Sequence, residues 1–340
     1  MQPNLRFFPS LFPVVCAALL TGCGQAAEAD FEAFALRQPL PDGIRAAPFQ
    51  AGQADTVLEA ADFGAIPDDG KDDAPALNAA LAAAGELPGL VELRLEPGHY
   101  DLIEPVPGIR HFLLIRSSTD LLVSGNGARF TAREPSTGIF RIEDARRIEI
   151  RDLEIDYDPL PWTEGIVEST DPEAGTIVLK VREGFPAPDA PYFTESRFWG
   201  YALDPEVPGR LRYGTQSHTA FEPPAEPLGD NRFRLRLQEA HRRHAGGLEV
   251  GDRFTLLARN EGAYTTFVED SEQTTFTRLT TYASVSGHYV GVRSDAINLL
   301  GCRALIREGR WKGGNADAVH IQTARVGPWV EGCHFEGISD

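Results

Sequence analysis

This 340-residue chain is poor in methionine, poor in cysteine and short of positive charge. One Met and 4 Cys stand against 33 Gly and 25 Pro, a balance suited to a turn-rich β protein rather than a helical one. No Cys-x-x-Cys pair or paired-histidine spacing accompanies the cysteines, so they do not point to a metal. Lys and Arg total 32 against 50 Asp and Glu, a formal charge of −18. That field repels polyanions: it argues against nucleic acid, disfavours polyuronates and leaves a neutral ligand as the expectation. Nor is there an apolar run long enough to span a bilayer. Residues 7–20 are too short and are interrupted by Pro9 and Pro13.

That run instead has the form of an export signal, behind a short n-region carrying Arg6. It ends in Leu20, Thr21, Gly22 and Cys23, which resembles a bacterial lipobox. The resemblance implies removal of residues 1–22, lipidation of Cys23, and attachment to the cell envelope by the acyl chains alone. Gly24 in the next position implies the outer membrane, and an ordinary secretory signal cleaved nearby is the alternative. Cys302 and Cys333 would then remain beyond the lipid site, at similar places in successive repeats. A disulfide and a stack of buried thiols both fit them.

Residues 23–55, rich in Ala, Pro and Gln, read as a tether. A short strand at 56–61 precedes an acidic stretch, 62–73, and an Ala/Leu run to 84 that predicts a helix. Asp72 or Asp73 can N-cap it, Pro75 fits its first turn and Gly85 ends it. Capping and turn formation account for the acids without a metal. Alternating strands broken by polar corners then recur at 91–95, 115–130, 140–155, 274–282, 296–306 and 319–335, spaced by 20–30 residues. Degenerate repeats of this period predict a solenoid closed at one end by the helix. The period lapses between 157 and 262, where short strands with turn signals predict an inserted β-barrel or sandwich. The division is therefore 56–156 and 263–340 for the stack, with 157–262 inserted. A stack ending at Asp340 would expose an apolar coil, so the chain reads as a fragment.

Residues 62–80 follow the pattern Asp-Phe-Gly-Ala-x-Pro-Asp-Asp-Gly-x-x-Asp-x-x-Ala-x-x-x-Ala. This resembles the N-terminal entry of the pectin-lyase-like proteins, and implies an all-β, right-handed parallel β-helix.

The chemistry gathers near the end. Asp317 lies in Gly-Gly-Asn-Ala-Asp-Ala-Val-His-Ile (313–321), and Asp340 follows 23 residues later in Gly-Ile-Ser-Asp. One coil of that length would set the two carboxylates side by side, as acid and base for glycosidic hydrolysis. The plain alternative for Asp317 is a turn aspartate bonded to its own backbone. Trp311, Lys312 and two glycines precede it, a flat face, a cation and a permissive backbone suited to a sugar. The pairing resembles the Asn-Thr-Asp and Asp-Asp signatures of β-helix glycosidases; taken with the inserted domain and Asp-Tyr-Asp-Pro-Leu-Pro-Trp (156–162), the chain from residue 56 onward resembles glycoside hydrolase family 110. Only the first aspartate of the second signature is visible. The resemblance implies an exo-acting α-galactosidase that inverts terminal α-1,3-linked galactose, with Asp317 and Asp340 catalytic and no metal or organic cofactor. Its partners would be neutral galactose-terminated glycans.

Trp311, Asn315, His320 and Arg293 are the substrate-binding candidates, with His288 near Arg293 one coil earlier. Strict alternation sets His320 opposite Asp317 unless the chain bends between them. Glu154, Asp156 and Asp158 read as solvated acids. Two rival functions share this fold: a polysaccharide lyase or uronate epimerase, and a non-catalytic glycan-binding surface protein.

Overall fold

A computed structural model describes residues 48–338; Cys23 and Asp340 lie outside them. Strands pair in parallel from coil to coil in two open sheets, and antiparallel pairing is confined to a closed barrel. Each full coil has three sides. The first runs through Val91–Arg94 and the starts of Thr119–Ala132 and Arg146–Tyr157 to Glu272–Thr277, Asp295–Leu300 and Trp329–Glu331. The second takes His99–Leu102, the ends of the two long strands, Thr280–Thr281, Arg303–Ala304 and His334–Phe335. The third stacks His111–Arg116, Gly138–Glu143, Thr266–Glu269, Tyr289–Val292 and Val319–Gln322.

Inward positions carry the apolar columns: Val123, Ile150, Phe276 and Leu299 on the first side, Phe130 and Ile155 on the second, Phe140 and Val268 on the third, all buried. Cys302 and Cys333 sit on adjacent rungs as free thiols, Cys302 buried.

The helix Ala74–Gly85 buries Leu77, Ala80, Leu81 and Ala84 against the open end. Asn78 fastens it: its amide donates to Phe112 O at 2.7 Å and its Oδ1 accepts from Leu114 N at 2.9 Å, meeting the edge of the third sheet. The expected side-chain cap from Asp73 is not made. Its carboxylate accepts instead from Ile66 N (3.1 Å) and Asp101 N (3.0 Å), while Asp72 takes Ala74 N, Ile103 N and Glu104 N. Those two acids bind the helix entry to the second side of the stack, because a buried carboxylate needs several donors more than the helix needs a cap.

Between Tyr157 and Thr266 the chain leaves the stack for a closed six-strand barrel, Trp162–Asp171, Thr176–Val181, Arg197–Leu203, Thr219–Gly229, Arg232–Leu237 and Arg253–Arg259. Its core, including Val167, Leu179, Phe198, Phe221, Leu235 and Phe254, is separate from that of the stack. At the root, Trp162 pairs with Leu257, and both belong to the core of the stack. Among the described residues no helix is long and apolar enough to cross a membrane.

Candidate functional site

Among the connections at the corner between the second and third sides are the barrel, the connection 282–288 and the long connection 305–318. The last returns to the third side through Asp317. Its carbonyl accepts from His288 N at 2.9 Å, so its backbone already belongs to the ladder, while the side chain stays about 29% exposed. The chain bends at Ala318 before Val319–Gln322 begins, and alternation does not reach back to Asp317. His320 is therefore on the same side as Asp317. Its Nδ1 lies 3.3 Å from the carboxylate Oδ1, and its Nε2 meets the Gln322 amide. A carboxylate backed by an imidazole that is itself held by an amide is oriented for proton transfer.

The neighbours named from sequence fall elsewhere. Asn315 is fully buried and spends its side chain on Pro161 O (2.7 Å), Val285 O (3.3 Å) and Lys312 Nζ (2.8 Å). Trp311 turns toward the barrel, with the guanidinium groups of Arg182 and Arg253 over its ring at 4.4 and 5.2 Å. Lys312, expected as a sugar-facing cation, is 1% exposed, and burial drives its pKa well down. Arg293 occupies the far end of the third side, level with Thr323, where it pairs with Asp270 and Glu269 of the preceding coil. The strand Val319–Gln322 separates that level from Asp317. His288 is buried, bonded through Nδ1 to Thr281 at 2.8 Å, and burial lowers its pKa to about 3, keeping it neutral.

Two buried carboxylates escaped the sequence reading. Asp156, expected to be solvated, is 7% exposed and held by both Arg310 nitrogens (2.7 and 2.8 Å) and by Arg307 at 3.2 Å. It lines a cleft of about 640 Å³ with His99, Arg133, Phe185 and Arg310. Glu164, in the first barrel strand, is fully buried; its pKa is raised by that burial, against bonds from Trp311 N and Trp162 and the Arg182 charge. Arg310 lies 154 residues from Asp156 and Trp311 lies 147 from Glu164, so no local pattern could reveal those bonds. Asp158 is exposed, as expected of a surface acid, and pairs with Arg133. No group of three His, Cys, Asp or Glu is placed to hold a metal among the described residues.

No family model matches the chain. It is similar to known proteins all the same. One is α-1,3-galactosidase B of Akkermansia muciniphila, 24% identical over 314 residues, covering 85% of this chain and 38% of that protein. Another is α-1,3-galactosidase A of Shewanella woodyi, 28% identical over 138 residues, covering 36% of this chain and 22% of that one. The chain thus spans less than two fifths of the length of these curated relatives. Among solved structures it overlays on the Agl-KA catalytic domain with a TM-score of 0.32 and 12% identity, covering 86% of this chain and 39% of that one. The surface adhesin PfbA of Streptococcus pneumoniae overlays with a TM-score of 0.32 and 13% identity, over 73% and 38%. Overlays this loose do not bear on function.

Proposed function

We propose that this chain carries the site of a glycoside hydrolase that removes terminal α-1,3-linked galactose, with Asp317 and Asp340 as its carboxylate pair. The observation that carries the reading is Asp317 itself, about 29% exposed and backed by His320 where the connection 305–318 returns to the third side. Similarity to two proteins named α-1,3-galactosidase supports the substrate. One rung of the stack is a step of 23 residues from Thr266 to Tyr289, 27 from Thr119 to Arg146 and 30 from Tyr289 to Val319, and Asp340 follows Asp317 by 23, inside that range. The right-handedness of parallel crossover connections in nearly all proteins supports a right-handed hand for the stack. In an inverting enzyme one carboxylic acid protonates the leaving oxygen while the other carboxylate activates water about 6.5–9.5 Å away. The reading includes export and a lipid anchor at Cys23; Cys23→Ser would then shift the protein from the membrane fraction to the soluble one, and an unchanged distribution would remove the anchor.

The test is galactose release from an α-1,3-galactoside by the full-length protein. Asp317→Asn and Asp340→Asn should each lower kcat by about 10²–10⁴. Full activity in either variant would remove that residue from the pair. Glycan binding without release by the wild type would move the function to recognition.

A further inference from the structure

The barrel does not hang freely from the stack; it grips the two segments that run into the proposed carboxylates. On the Asp317 side, Glu164 Oε1 accepts from Trp311 N at 2.8 Å, and Pro161 O accepts from the Asn315 amide at 2.7 Å. Lys312 Nζ, between those two anchors, donates to Asn315 Oδ1 at 2.8 Å and lies over the barrel-root rings of Trp162 (5.2 Å) and Tyr201 (5.3 Å). Residues 311–315 are thus bonded at both ends and in the middle, in surroundings where an unpaired polar group would be costly.

A second contact comes from the turn after Arg197–Leu203. Gly209 N donates to Trp311 O at 2.7 Å, and its Cα packs so tightly on Gly337 that an added Cβ would overlap the Gly337 backbone. Gly337 O in turn accepts from Gly313 N at 2.9 Å. One barrel turn therefore touches the segment leading to Asp317 and, one rung on, the segment leading to Asp340.

We infer that the inserted barrel is a positioning clamp on the segment that carries Asp317, with Gly209 and Glu164 as its positioning residues. This rests on the proposed roles of Asp317 and Asp340. An acid and a base working across one water tolerate little error, since misplacement by 1 Å costs about 10²-fold in rate. A barrel serving as a separate glycan-binding module would have no reason to bond 311–315 at three points.

Gly229 supplies the control. Gly209 and Gly229 are both left-handed (φ +74° and +86°), but a Cβ at Gly229 meets nothing within 4 Å. Alanine at either position carries the same backbone strain, and only at Gly209 does it wedge the clamp. Gly209→Ala is expected to lower kcat about tenfold or more with KM within about twofold, while Gly229→Ala matches the wild type. Hydrogen exchange read by mass spectrometry should rise at 309–317 and 334–338 in Gly209→Ala alone, and not at 119–155. If Gly209→Ala does not fold, Glu164→Gln takes its place with the same expectations. Equal kcat in the two glycine variants, or unchanged exchange at 309–317, would overturn the clamp. Exchange needs no turnover: local loosening in a protein that releases no galactose would keep the clamp and remove the galactosidase reading instead.

Discussion

Asp73 shows how this chain spends a buried carboxylate. It is 3% exposed, accepts from two backbone amides, and its pKa is raised to about 6, chiefly by desolvation and further by Asp69 and Asp101. The fold therefore favours the neutral acid. Its contribution is present below the ordinary carboxylate value of 3.8 and is lost as pH rises through about 6. Asparagine mimics the neutral form. Between pH 4 and pH 7.5 the wild type should lose more unfolding free energy than Asp73→Asn, by at most about 3 kcal/mol. Parallel pH profiles from denaturant titrations would contradict this. The sequence placed Asp73 at the helix start correctly, but which amides it serves depends on Asp101, 28 residues on. The same limit hid the burial of Lys312. A lysine beside two glycines reads as exposed until the barrel root is folded over it.

The corners of the coil decide what Arg293 does. Ser117, Asp144, Asp270, Arg293 and Thr323 stack at the exit of the third side, each left-handed, with φ of 52, 51, 49, 50 and 57°. One left-handed residue per coil turns the chain, so the column repeats although the residues share no side-chain chemistry. Strand periodicity was legible because inward positions alternate with outward ones; this corner was not, because its common property is a backbone angle. The barrel was legible as a lapse in the period, and its closure was left open because pairing among its strands is long-range. Arg293→Gly relieves the left-handed strain and removes solvent-screened ion pairs, two small effects of opposite sign. The thermal unfolding midpoint should move by no more than about 3 °C, with galactose release unchanged. A large fall in kcat/KM without loss of stability would return Arg293 to the substrate site.

At the scale of the molecule, a parallel stack supplies rungs, and a barrel interrupting it bears on the rungs that carry the candidate chemistry. A net charge of −18 repels polyanions, and the cleft beside Asp156 pairs its arginines with its own acids. Both features accord with the neutral glycan proposed above. The stack could be read from the chain; the buried bonds that hold 311–315 could not, since they join residues 147 and 154 apart. The measurement that tests the central claim most directly is proton NMR of the first galactose released from an α-1,3-galactoside by the full-length protein. β-Galactose appearing first, and absent with Asp317→Asn, is the result expected of an inverting pair. α-Galactose appearing first, or undiminished release by Asp317→Asn, would contradict it.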